Sequence, residues 1–116
     1  VVVIKRGEHG VLLFQGDDVF SAPAFPLESV IDPTGAGDCF AGGFMGYLAA
    51  TGDLSNTGFR RAAMAGTVMG SFAVESFSVD RINLLGKNDI EERFRTLTKI
   101  MAFEPLAEGE SLPWRY

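Results

Sequence analysis

The chain has 116 residues, 47% hydrophobic and 22% charged, the composition of a soluble globular class with room for one modest core. Its net charge of −5 repels nucleic-acid backbones and anionic membranes, so no polynucleotide partner and no membrane partner is expected. A single cysteine and a single histidine exclude an internal disulfide and a zinc cluster, pointing to a reducing cytoplasm, and no apolar run nears the roughly 20 residues of a membrane span.

Val1-Val2-Val3-Ile4 is a β-branched run without alternation, which predicts a strand buried on both faces. It begins without methionine or lead-in, as the middle of a longer polypeptide would, so a truncated piece is expected. Lys5-Arg6-Gly7-Glu8-His9-Gly10 breaks the strand with turn residues, and His9 is expected to sit exposed there instead of acting as an acid or base. Val11-Leu12-Leu13-Phe14 resumes an extended pattern. Gly16-Asp17-Asp18 turns it into Val19-Phe20-Ser21-Ala22, a hairpin partner that Pro23 and Pro26 end.

Asp32-Pro33-Thr34-Gly35-Ala36-Gly37-Asp38 then runs into the apolar segment that starts at Cys39 and Phe40. It reads as a glycine-rich turn opening a helix. The first residues of a helix leave N–H groups without partners at the positive end of the helix dipole, which is a place to hold an anion. Small residues at Gly35, Ala36 and Gly37 let that anion reach the main chain. Asp38 is the odd residue, because a carboxylate there repels phosphate; it either caps the helix or works as a base on a substrate proton. Cys39, beside it, reads as a small buried residue and not as a reactive thiol.

Other glycine loops do not fit. A Walker A loop needs Lys-Ser or Lys-Thr after its last glycine, where this chain has Gly43 and Phe44. A dinucleotide fingerprint needs a glycine at Phe40, and a nucleophile elbow needs a serine.

The helix opened by this turn is expected over residues 37–50, burying Phe40, Phe44, Tyr47 and Leu48, with Gly42, Gly43 and Gly46 serving close packing and Thr51-Gly52-Asp53 closing it. A second helix is expected over 57–74, rich in small residues and with Met64, Val68 and Phe72 on one buried stripe. Asn88-Asp89-Ile90-Glu91 opens a third, in which Ile90, Phe94, Leu97 and Met101 recur at helical spacing and which Pro105 stops. Asn88 as N-cap and Glu91 at the third helical position make a variant capping box. Residues 107–116 form a polar tail ending in Trp114-Arg115-Tyr116, read as a loosely held extension.

The segment from Asp32 to Asp38 resembles, residue by residue, the C-terminal signature of the ribokinase-like, or PfkB, kinases of sugars and nucleosides. The resemblance implies that residues 1–106 are the C-terminal part of a layered α/β/α kinase domain: strands and a hairpin followed by three helices. It implies ATP-dependent phosphoryl transfer to a hydroxyl, with Asp38 as catalytic base and the N–H groups around Gly35, Ala36 and Gly37 as the anion hole. It further implies that the Lys5 to Gly10 turn borders the nucleotide through Lys5, Gly7 and Gly10, with Lys5 standing where threonine is common in the family, and that Met64 lies nearest the adenine pocket. ATP with Mg2+ is the implied cofactor. By the same resemblance K+ is added, with Asp32 and Thr34 among the ligands of a monovalent cation and others from the loop around Val74 to Ser78. The family's Asn-x-x-Glu motif lies upstream of this region, so Asn88 and Glu91 are not assigned to metal. The implied partners are a sugar or nucleoside substrate and a second copy of the enzyme, paired through the N-terminal part.

Two other readings of the residues stay open: an inactive nucleotide-binding fragment, and a structural α/β domain whose glycines serve packing alone. The sugar or nucleoside is not named by this sequence.

Overall fold

A computed structural model of the chain describes residues 1–27, 35–75 and 85–115. Three strands come first: β1 (Val2–Lys5), β2 (Val11–Gln15) and β3 (Asp18–Ala22). They form one antiparallel sheet in the order β1-β2-β3. Val3 faces Leu13 and Lys5 faces Val11 across the first pair, and Gln15 faces Asp18 across the second, which makes β2 and β3 the expected hairpin. Gly16 turns it at φ +59°, a left-handed backbone that glycine adopts without strain.

The first strand departs from expectation. Val2 is 55% and Ile4 43% exposed, and Val3 alone packs onto the core. An apolar β-branched run signals a strand with neighbours on both sides and both faces covered. Among the described residues β1 has one neighbour, β2, and is the sheet's edge.

The helices are α1 (Ala36–Thr51), α2 (Asn56–Val74) and α3 (Lys87–Met101). α2 is the hub, packing against α1, α3, β2 and β3. Its expected stripe is buried: Met64, Val68 and Phe72 join Val11, Ala22, Ala63 and Leu97 in one cluster. Val68 and Leu97 are fully enclosed. Phe40 and Phe44 of α1 and Ile90, Phe94 and Met101 of α3 pack around that cluster half-buried. No residue of α1 is fully buried; Phe40, Phe44, Tyr47 and Leu48 face inward while Ala41, Met45 and Ala49 are exposed.

Only part of the glycine expectation for α1 holds. A Cβ on Gly43 would fall 2.8 Å from the Ala65 carbonyl oxygen and 3.0 Å from Gly66 Cα, so Gly43 is where the two helix backbones approach. Gly42 and Gly46 meet nothing within 4 Å and do not serve packing among the described residues. The matching small residues are on α2, where Gly66 and Gly70 lie against Phe40 and Ala36.

The corner between α1 and α2 is closed by side chains. Gly52 ends α1 at φ 64° and donates its N–H to the Leu48 carbonyl at 2.8 Å. Ser55 caps α2, its hydroxyl accepting from Gly58 N at 3.2 Å. Asp53 in turn accepts from Ser55 N at 3.0 Å and from Ser55 Oγ at 2.5 Å. These bonds hold the Asp53 carboxyl below the usual carboxylate range, the hydroxyl bond first and the backbone bond second.

Polar side chains fasten α2 to its neighbours. Arg60 Nη2 donates to both oxygens of Asp18 on β3, at 2.9 and 2.7 Å. Arg93 of α3 lies 3.8 Å over the Phe72 ring, donates to Ser71 Oγ at 3.0 Å and pairs with Glu75 at 3.0 Å.

The start of α3 also differs from expectation. Its N-cap is Gly86, whose N–H donates to Asp89 Oδ2 at 3.0 Å. Asn88 and Glu91 are therefore helix-interior, and Glu91 pairs with Lys87 and Arg95 one turn away on either side. With Gly86 as N-cap, Asp89 holds the third helical position, from which a carboxylate bonds back to the N-cap N–H, and Glu91 lies two residues beyond it. Beyond Met101 the chain is extended at Ala102, and residues 102–115 are exposed throughout, with a turn in which Ala107 N–H donates to Glu110 Oε1 at 2.9 Å.

Candidate active site

The turn into α1 is built on a glycine. Gly35 is the N-cap in a left-handed conformation, φ 85° and ψ −7°, and no side chain among the described residues caps the helix. Cys39 N–H makes the first intrahelical bond, to the Gly35 carbonyl at 3.0 Å. The N–H groups of Ala36, Gly37 and Asp38 precede it and have no backbone partner among the described residues. Gly35 and Gly37 are exposed and Ala36 half-exposed, so solvent or a ligand reaches these donors. Asp38 sits in the first turn, exposed, and makes no capping hydrogen bond among the described residues. Cys39 is half-buried, a free thiol.

The helix start is fixed from behind. A Cβ on Gly70 would lie 3.3 Å from the Ala36 carbonyl oxygen, and one on Gly66 would lie 2.8 Å from that of Phe40. The first turn of α1 therefore rests directly on α2. Phe40 stacks with Phe44 at 6.1 Å between ring centres, and Phe44 meets Phe59 at 6.3 Å.

From the other side comes the end of β1. Lys5 Nζ lies 3.0 Å from the place a Gly37 Cβ would take and 5.8 Å from the centre of the Phe40 ring. No spacing in the sequence signals that Lys5 meets Gly37, since the two belong to different elements. The small residues between Ala62 and Gly70 were a visible signal that α2 could carry α1 closely.

Gly7 and Gly10 frame a short 3-10 turn over Gly7–His9 that follows Lys5. Arg6 N–H donates to the Gly10 carbonyl at 2.8 Å and Gly10 N–H to that of Gly7 at 3.1 Å. Gly10 is buried at φ 89°, and a Cβ there would run into the Ala22 carbonyl oxygen and Pro23. The fold itself thus requires that glycine. Gly7, at φ 56°, is open to solvent on all sides. His9 is exposed as expected, beside Glu8 at 3.5 Å.

Met64 is 7% exposed and belongs to the central cluster, so its side chain is engaged in packing. Asp32 and Thr34, and the loop around Val74 to Ser78 beyond Glu75, lie outside the described residues. Among the described residues no three His, Cys, Asp or Glu side chains converge to hold a metal ion, and no helix is long and apolar enough to cross a membrane.

Comparison with known proteins identifies a family and a fold. The profile of the pfkB family of carbohydrate kinases matches residues 1–83. The chain is 54% identical to a cytidine kinase of Thermococcus kodakarensis over 50 residues, 40% of this chain and 18% of the relative. It is 31% identical to an inositol 3-kinase of Arabidopsis thaliana over 98 residues, 84% of this chain and 26% of the relative. The structure of a Burkholderia thailandensis nucleoside kinase in complex with ADP-inosine superimposes with a TM-score of 0.67 at 28% identity, over 98% of this chain and 32% of that one. The chain thus spans about a quarter of the length of the curated relatives it matches, 18% of one and 26% of the other. A ribokinase-type mixed α/β fold and a profile match over residues 1–83 place this chain in the pfkB family of carbohydrate kinases.

Proposed function

We propose that this chain is the catalytic portion of an ATP-dependent kinase that phosphorylates a hydroxyl of a sugar or nucleoside. The observation that carries the reading is the start of α1, where Ala36, Gly37 and Asp38 offer N–H groups ahead of the first intrahelical bond and the Asp38 carboxylate is exposed among them. Relatives that act on cytidine and on inositol, and one solved with ADP-inosine, support this chemistry for the family.

In this reading the transferring phosphoryl group sits at the α1 N-terminus. The N–H groups of Ala36 and Gly37, shaped by the left-handed Gly35, donate to its equatorial oxygens as charge builds there. The Asp38 carboxylate accepts the proton of the attacking hydroxyl. That proton leaves as the new O–P bond forms and the bond to the nucleotide's leaving oxygen breaks, so ADP departs with the electron pair. Lys5, Gly7 and Gly10 border the nucleotide, and Met64, buried in the core cluster, is assigned nearest the adenine.

Exposed N–H donors with no side chain at Gly37 fit a phosphate well. When bound, Mg2+ offsets charge on the nucleotide phosphates. Its protein ligands are assigned outside the described residues, because no acidic cluster occurs within them. Asp32 and Thr34 are assigned to a monovalent cation such as K+. Residues 1–106 belong to the kinase domain and 107–116 to a tail. The enzyme pairs with a second copy through its remaining portion and works in the cytoplasm, where ATP is supplied. The isolated 116-residue chain is inactive in this reading, since the acceptor's recognition residues are assigned outside it.

The test is Asp38→Asn in the full-length kinase. The reading requires turnover to fall about 10²- to 10⁴-fold with the fold intact; normal turnover ends it.

A further inference from the structure

Arg93 of α3 grips the end of α2 at several points. Its Nη1 donates to Ser71 Oγ at 3.0 Å, and its Nη2 reaches both Glu75 oxygens, at 3.0 and 3.1 Å. The guanidinium also lies against two rings, 3.8 Å from the centre of Phe72 and 4.8 Å from that of Phe25, on the stretch after β3. The pair is largely removed from solvent, with the Arg93 side chain 17% and that of Glu75 28% exposed. Ser71 is buried and donates its own hydroxyl hydrogen to the Val68 carbonyl at 2.6 Å, so the hydroxyl is used in both directions.

The other side of the same α2 segment carries the first turn of α1. At 3.6 residues per turn, Gly66 and Gly70 fall on one face of α2, and Ser71, Phe72 and Glu75 fall on the opposite one. Gly70 puts bare backbone against α1: a Cβ there would stand 3.3 Å from the Ala36 carbonyl oxygen and 3.9 Å from Phe40 Cβ. No side chain is present at Gly70 to take up a displacement, so a shift of this segment passes to Ala36, two residues before Asp38.

An ion pair shielded from water adds little net stability over an apolar side chain of the same size, because desolvation offsets the attraction. What convergent contacts to a planar fork contribute is a fixed position. We infer that Arg93 is a positioning residue for the candidate active site: it holds the end of α2 at the height on which the first turn of α1, and with it the Asp38 carboxylate, is set. The inference rests on the phosphoryl-transfer reading above and adds to it a residue from α3, an element that supplies no group to that site.

Arg60 is the matched comparison. It too pairs with a carboxylate, Asp18 at 2.7 Å, and lies 5.2 Å from a ring centre, that of Phe20. Its grip falls about three helical turns before Ser71, away from Ala36.

The experiment uses the full-length kinase and its Arg93→Met, Arg93→Lys, Glu75→Gln, Arg60→Met and Asp38→Asn variants, each assayed well below its melting temperature. Labelling of the half-buried Cys39 thiol by a maleimide, followed by mass spectrometry, reads the first turn of α1 without turnover. Arg93→Met should lose kcat about 10- to 100-fold, the scale of a misplaced catalytic group, with the KM for ATP within about twofold, and should label faster at Cys39. Arg93→Lys keeps the charge beside Glu75 but not the fork, and should fall between Arg93→Met and wild type. Glu75→Gln should shift kcat and labelling in the same direction by less, and it carries the test where Arg93→Met does not fold. Arg60→Met should keep wild-type kcat and wild-type Cys39 labelling even where its melting temperature falls as far. Wild-type kcat or unchanged Cys39 labelling in folded Arg93→Met, or equal losses in Arg60→Met, overturn the inference while leaving the base assignment standing. Undiminished turnover of Asp38→Asn overturns the phosphoryl-transfer reading instead, and Cys39 labelling then still decides whether Arg93 holds the helix start.

Discussion

Gly66 of α2 lies directly against Phe40 of α1: a Cβ at Gly66 would stand 2.8 Å from the Phe40 carbonyl oxygen and 2.9 Å from two ring carbons. That contact sets the height of the first turn of α1 and the position of the ring under Lys5. The small residues of α2 therefore position the candidate site, although none of them lies in it.

Gly66→Val is expected to force α1 away from α2, because two of the three nearest atoms are aromatic carbons braced by Phe44 and the third is backbone. Overpacking of this kind costs typically about 1–3 kcal/mol. Thermal denaturation should register the loss, and Gly42→Val, at a position with nothing within 4 Å, should register little beyond helix propensity.

Leu97→Ala tests the core. Leu97 is 0% exposed and joins α3 to the cluster built on Val68 and Phe72. Truncation should cost about 2–5 kcal/mol by chemical denaturation. Lys99→Ala, exposed on the same helix, should stay within about 0.5 kcal/mol.

Gly10→Ala should be more damaging than Gly7→Ala. Both glycines have positive φ, but only at Gly10 does a new Cβ collide with backbone, at Ala22 and Pro23. Comparing the melting temperatures of the two variants checks whether the turn after β1 is held chiefly by the fold. A larger loss at Gly7 would contradict it.

Asp53 gives an acid-side signature. Its carboxyl is held below the usual range by the Ser55 hydroxyl and backbone bonds. A depressed folded-state pKa stabilises the native state above the unfolded value of about 3.9, and this contribution is lost as pH falls through the lower folded value. Wild type should therefore exceed Asp53→Asn in stability at neutral pH, with the gap closing below about pH 4. Melting temperatures of both proteins across that range measure it.

Much of this was legible in the sequence because the signals are local. The hairpin turned at Gly16 and Asp17, the stripe of Met64, Val68 and Phe72, and the α3 face of Ile90, Phe94, Leu97 and Met101 all follow from spacing within one element. The exposure of Val2 and Ile4 was not legible: a β-branched run reports an apolar strand, but whether a neighbour covers it depends on the rest of the sheet. The cap at Gly86 is not legible in the sequence, because Asn88 with Glu91 and Gly86 with Asp89 have the same spacing and only the backbone geometry chooses between them. Gly42, Gly43 and Gly46 of α1 look alike in sequence, and contact with α2 singles out Gly43. The meeting of Lys5 with Gly37 and Phe40 joins a strand end to a helix start, which no periodicity within either element reports.

The central claim is that Asp38 is the base beside an anion-binding helix start, and single-turnover phosphorylation by the full-length Asp38→Asn kinase tests it most directly. The account predicts a chemical step slowed about 10²- to 10⁴-fold, with MgATP still bound and the melting temperature essentially unchanged. A chemical step at the wild-type rate, in a protein that binds and melts as wild type does, would contradict it.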